Sequence, residues 1–152
     1  VTACAAASAA RFASALTSVR NHGGVLEHPA GSSAWPYFGL RQPRAGEGWT
    51  KADEFGGWTC QVDQRHYGHT APKPTALYAV GVDLPELDWS KSDRTPPRWM
   101  VERYGEAKAR KIGQVAMIGG KDKTKIRNAT PPAFRDLLLT VAHSVNTQRA
   151  AA

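Results

Sequence analysis

The stretch from Gly23 to Pro29, GGVLEHP, constrains this chain more than any other. A short apolar run closing on Glu27, His28 and Pro29 reads as a buried strand that stops at a functional edge. Proline has no N–H for a sheet ladder and drives the residue before it out of helical space. Glu27 and His28 therefore stand at a strand's carboxyl end, where open α/β sheets hold their ligands. Both are candidate catalytic residues. A surface glutamate at a strand terminus and a hydrogen-bonded structural histidine are the plainer alternatives for the same positions.

What precedes the strand is a predicted helix over Ala3 to Arg20, rich in alanine, with Phe12, Leu16 and Val19 on one face. Asn21 to Gly24 stops it, with a glycine or asparagine for a left-handed cap. The chain opens on this helix with no strand before it, so a missing amino-terminal half is expected. The alanine-rich start lacks the basic lead-in of a signal peptide, and no run of 18 apolar residues occurs. A cytoplasmic protein, away from membranes, is the expectation. The two cysteines, Cys4 and Cys60, lack CxxC spacing and suit free thiols.

After the strand, residues 30–57 turn to Gly, Pro and aromatics, with a short helix expected around Ser33 to Phe38, capped by Ser32. Trp35, Tyr37, Phe38, Trp49 and Trp58 either line a groove for stacking on bases or pack as a satellite cluster. Thr59–Gln64 and Thr75–Val82 predict two strands of an antiparallel hairpin, with a polar tip carrying His66, His69 and Lys73. Asp83–Pro97 reads as a proline-rich linker and Trp99–Ile112 as a basic helix. A final helix is capped by Thr130, with Pro131 and Pro132 in its first turn and Phe134, Leu137, Leu138, Val141 and Val145 on its apolar face. The whole is one α/β domain, 1–152, divided as helix and strand (1–29), loop (30–57), hairpin (58–82), basic linker and helix (83–129) and last helix (130–147).

Charge narrows the partner. Twenty Lys and Arg stand against thirteen Asp and Glu, a net +7. Between Lys91 and Arg127 eleven basic residues face four acidic ones, so this segment holds the whole excess. Such a concentration is the footprint of a polyanion-binding surface, with a solvated linker as the alternative. Arg110, Lys111, Lys121, Lys123, Lys125 and Arg127 are its candidate contacts. Lys73, fixed between two prolines and beside the hairpin histidines, suits phosphate or base contact. Neither GxGxxG nor GxxxxGK[ST] occurs, and Ser32 and Ser33 lack the glycines of a nucleophile elbow. His66 and His69 match no strong zinc spacing, and no metal is expected.

Three segments, LEHPAGSSAW, DQRHYGHTAPKPTALYAVG and ATPPAFRDLLLTVA, resemble the carboxyl-terminal half of phage- and prophage-type proteins related to DNA cytosine-5 methyltransferases. In that family a strand ends in a Glu-Asn-Val or Glu-Asn-Pro motif whose glutamate holds the target cytosine. Leu26-Glu27-His28-Pro29 would be this motif, with His28 in place of asparagine. A later hairpin carries a Gln/Arg-rich motif, and Gln64, Arg65, Lys73 and the strand Thr75–Gly81 occupy comparable places without an intact arginine-x-arginine core. The resemblance implies a partial Rossmann-like methyltransferase sheet with a terminal antiparallel hairpin and flanking helices. It also implies base flipping, with Glu27 on the cytosine and Gln64, Arg65, His69 and Lys73 toward the nucleic acid. S-adenosylmethionine is the implied cofactor. The family's glycine-rich cofactor loop and Pro-Cys nucleophile lie upstream of the first helix and are not in this sequence. A second chain supplying the cofactor-binding half is the partner this implies.

Two other readings stay open. One is a non-catalytic basic nucleic-acid-binding module. The other is a metal-dependent nuclease or hydrolase using His28, His66, His69 and Asp63.

Overall fold

The computed structural model describes residues 3–96, 98–112 and 123–145; of residues 3–8, 111, 112 and 123 it describes the backbone alone. Helix α1 runs Ala3–His22 and ends where Gly23 adopts φ 77°, its N–H returning to the Val19 carbonyl at 2.9 Å. Only glycine suits this cap, because a Cβ there would also meet Val145 and the Val80 carbonyl at 3.1 and 3.2 Å. Strand β1 (Gly24–Pro29) follows at once. The chain then makes one helical turn, α2 (Ala34–Tyr37), a short strand β2 (Thr50–Lys51), and the hairpin of β3 (Trp58–Asp63) and β4 (Pro74–Val80).

These four strands form one sheet in the order β1-β4-β3-β2, every neighbouring pair antiparallel. The protein is thus mixed α/β, an antiparallel four-stranded sheet with flanking helices. Parallel neighbours, the signature of a Rossmann-like sheet, do not occur among the described strands. The reason is local: β4 returns from the hairpin and inserts between β1 and β3, which run the same way but never pair.

Each face of the sheet carries its own core, as the two-residue period of strands requires. On one face α1 lays Phe12, Leu16 and Val19 over Ala76 and Tyr78, with Trp35 buried beside them. On the other, α6 (Pro132–His143) sets Phe134 among Cys60, Val62, Leu77 and Leu87, and Val141 against Ala79 and Val82. Burying an aromatic such as Phe134 or Trp35 removes about 2–3 kcal/mol worth of apolar surface from water.

Several expectations need correction. The aromatic groove does not form: Trp35 is fully buried, Phe38 stacks on Phe12 at 5.2 Å, and Trp49 packs on Trp89 on the other side of the sheet. Burial draws Trp35 and Phe38 into one cluster and Trp49 into another, while Tyr37 and Trp58 stay exposed. The predicted linker is a strap held down by buried Val82 and Leu87 and by the Trp49 indole N–H to the Pro85 carbonyl, 2.9 Å. The basic helix is two, α3 (Arg98–Tyr104) and α4 (Glu106–Ile112), broken by Gly105 at φ 76°. Residues 113–122 of the basic stretch, Lys121 included, lie outside the described residues; Lys123–Asn128 form α5. Thr130 does not cap α6, whose N-cap is Pro131. The N-cap of α2 is Ser33 and not Ser32, although the Ser32 hydroxyl oxygen accepts the Ala34 N–H at 3.2 Å. Among the described residues no helix is long and apolar enough to cross a membrane.

Candidate functional site

Strand alternation separates the two residues that the motif places side by side. Glu27 pairs across the sheet with Leu77 and faces the α6 side; His28 pairs with Ala76 and faces α1. His28 therefore does not share a site with Glu27. Its ring edge meets Phe12 at 4.8 Å, and Nε2 lies 3.0 Å from the Ser32 hydroxyl, the same hydroxyl that starts α2. Burial pushes its pKa down, so the ring is neutral near pH 7. These are the properties of a structural histidine.

Glu27 is different. Burial raises its carboxyl above the usual range, with the charge of Lys73 pulling the other way. One donor reaches it: Gln64 Nε2, at 3.3 Å from Oε1. Gln64 is fully buried, because β3 ends at Asp63 and the chain turns into a 3-10 turn, Gln64–Tyr67, that folds its first side chain inward. The same Nε2 donates to Thr75 Oγ1 at 2.9 Å, and Thr75 donates to the Lys73 carbonyl at 3.0 Å. Asp63 fixes the base of the hairpin loop by accepting the Arg65 and Lys73 N–H groups on one oxygen, at 3.0 and 2.7 Å.

Beside this network lies a cleft of about 250 Å³ bounded by Pro29, Lys73, Pro74, Thr75, Arg127 and Asn128. Lys73 extends to the end of α5, donating to the Ala129 and Asn128 carbonyls at 2.9 and 3.4 Å. A cation at a helix carboxyl end is the favourable arrangement for the helix dipole. The cleft thus has two cations at its rim, and Glu27, which is not among its lining residues, connects to it through Gln64 and Thr75.

The remaining site candidates disperse. Arg65 turns away to the Asp93 carbonyl at 2.7 Å. His69 does stay with Lys73, lining the same cleft, but its ring is largely buried and turned to backbone, with Nδ1 2.7 Å from the Ala71 carbonyl oxygen and Nε2 3.2 Å from that of Ile126. Gln64 is a core group, not a surface contact. Arg110 pairs with Glu106 within α4 at 2.8 Å, whereas Lys125 and Arg127 stand exposed on α5. Of Lys111 and Lys123 only the backbone is described. His66 sits 3.2 Å from Asp88 and from the Ser92 hydroxyl. Asp63, His28, His66 and His69 therefore do not converge, and no metal-holding group of three such residues occurs among the described ones. Cys60 is fully buried and burial pushes its thiol far up, so it is no nucleophile.

Sequence reasoning missed Thr75, which joins Gln64 to the hairpin backbone. No local signal marks it, since its part depends on strand register. Comparison with protein families, with curated proteins and with solved structures finds no match for this chain.

Proposed function

We propose that this chain is the base-recognition part of a DNA cytosine-5 methyltransferase-like protein, holding an extruded cytosine with Glu27. The observation that carries the reading is a half-buried carboxyl with a raised pKa near a strand's carboxyl end, joined through Gln64 to Thr75 on the wall of a cleft rimmed by Lys73 and Arg127. A carboxyl in this state can donate to a ring nitrogen and accept from an exocyclic amine, which suits the Watson–Crick edge of a flipped cytosine. Lys73 and Arg127 suit the phosphates on either side, and Lys125 adds salt-dependent attraction. In this reading the described antiparallel sheet is one part of a larger Rossmann-like sheet. Strand β1 has one strand neighbour among those described, so its other edge can accept the parallel strands of a Rossmann-like sheet.

The described residues do not fit S-adenosylmethionine. Their glycine pairs, Gly23-Gly24 and Gly56-Gly57, each lead into a strand, whereas a cofactor loop is a strand-to-helix turn that aims helix N–H groups at a ligand. In this reading a second chain supplies that half, and calorimetry with S-adenosylmethionine, with and without DNA, tests it; saturable binding by this chain alone would refute the division. For the base site, duplexes with one unpaired cytosine or thymine are titrated by fluorescence anisotropy. Glu27→Gln is expected to lower the preference for cytosine about tenfold or more while leaving salt-dependent duplex binding intact. Equal loss of both would remove Glu27 from base recognition.

A further inference from the structure

We infer that Gln64 and Thr75 are positioning residues for Glu27, forming a one-way donor relay that ties one carboxyl oxygen to the fold and leaves the other for the ligand. The inference rests on reading Glu27 as the ligand-binding carboxyl.

The direction of the relay follows from counting hydrogens. Thr75 has one hydroxyl hydrogen, and the Lys73 carbonyl, which can only accept, lies 3.0 Å from Oγ1. With that hydrogen on the Lys73 carbonyl, Oγ1 accepts from the Gln64 amide nitrogen at 2.9 Å. The orientation of the Gln64 amide is assigned from this hydrogen-bond pattern. The second hydrogen of the same nitrogen then points to Glu27 Oε1, 3.3 Å away. Glu27 Oε2 has no hydrogen-bond partner among the described residues. One oxygen is held and one is offered.

A purely structural tie accounts for this less well. Gln64 Oε1 is buried without a partner, and burying an unpaired acceptor costs more than placing an apolar group of the same shape there. What the amide does in return is donate through its nitrogen to Glu27 and Thr75, with Thr75 keeping the amide from turning its carbonyl toward the carboxylate.

The test follows the Glu27 carboxyl by carbon NMR across a pH titration of the whole chain, without DNA, in Gln64→Leu, Thr75→Val and Thr75→Ser. Removing the donor removes support for the carboxylate, so the Glu27 midpoint is expected to move up in Gln64→Leu, less far in Thr75→Val, and to stay at the wild-type value in Thr75→Ser. Gln64→Leu is expected to melt no lower than wild type. An unmoved midpoint in Gln64→Leu overturns the relay, as does a large loss of stability, which would assign Gln64 to the core. Should Gln64→Leu not fold, the Thr75 pair decides: equal midpoints in Thr75→Val and Thr75→Ser overturn it. Because the readout needs no DNA, a shifted midpoint in a chain that fails to discriminate cytosine refutes base recognition and leaves the relay standing. The reverse pattern refutes the relay alone.

Discussion

Two carboxylates, one on each face of the same sheet, show how differently a fold can treat one chemical group. Asp53, on the α1 side, receives Arg20 at 2.8 Å and the Tyr78 hydroxyl at 2.7 Å on one oxygen, and the Phe55 and Gly57 N–H groups at 3.0 Å on the other. Burial pushes its pKa up, but these four donors outweigh burial and leave it below the usual range. In the same network Tyr78 is pushed up to about 12, chiefly by burial. Gly57 has no Cβ because one there would collide with the Tyr78 ring. Glu27, on the α6 side, has one amide donor and a more distant lysine, and burial wins. Asp53 is satisfied and closes the structure. Glu27 is left partly unsatisfied beside a cleft, the condition under which a carboxyl does work on something else.

The most forceful way to break this contrast is Asp53→Ala. It leaves Arg20, at 23% side-chain exposure, without its counter-charge and the Tyr78 hydroxyl unpaired. A loss of about 3 kcal/mol is expected by urea denaturation, toward the low end for breaking a buried pair because Arg20 keeps some water. A wild-type midpoint would show that the network only decorates the surface.

Acidification sharpens the contrast with a smaller effect. Asp53 has a folded pKa below its unfolded one, so its stabilisation is complete above the unfolded carboxylate range and disappears as pH falls through the lowered value. Glu27 has the opposite sign. Its folded pKa lies above the unfolded one, so its contribution is best at low pH and declines as pH rises from the unfolded value through the raised one. Denaturation at stepped pH should show Asp53→Asn losing part of the acid-side decline, and Glu27→Gln losing part of the decline on the rising side. Identical profiles for both variants would erase the distinction.

The smallest expected change is the stability of Glu27→Gln at neutral pH. Replacing a carboxylate that burial disfavours by a neutral isostere should leave stability within about 0.5 kcal/mol of wild type, or above it. A drop of several times that size in thermal melting would make Glu27 a structural acid like Asp53.

Much of this arrangement was legible before any coordinates. The face Phe12, Leu16, Val19 predicted α1, the alternation from Thr59 predicted β3, and the apolar period from Phe134 predicted α6, because each rests on local periodicity. Glu27 was legible as a site candidate from its place before His28-Pro29. That Glu27 and His28 must part to opposite faces was also written in the two-residue period of a strand, although their adjacency invited the contrary reading. The break at Gly105 did not emerge from the sequence pattern, which predicted one helix over Trp99–Ile112 where the structure has two. Gln64, Arg65, His69 and Lys73, read as a group of nucleic-acid contacts, were not separable by sequence, since only the 3-10 turn sends Gln64 inward and Arg65 toward the strap.

By itself, then, the sequence determined the elements, their apolar faces and the strand edge at Glu27, all of which depend on residues a few positions apart. Tertiary structure decided the insertion of β4 between β1 and β3, and with it the meeting of Glu27, Gln64 and Thr75. Gln64 lies 37 residues from Glu27 and 11 from Thr75. Contacts at such separations depend on strand register and order, which are properties of the assembled sheet and not of any short stretch of chain.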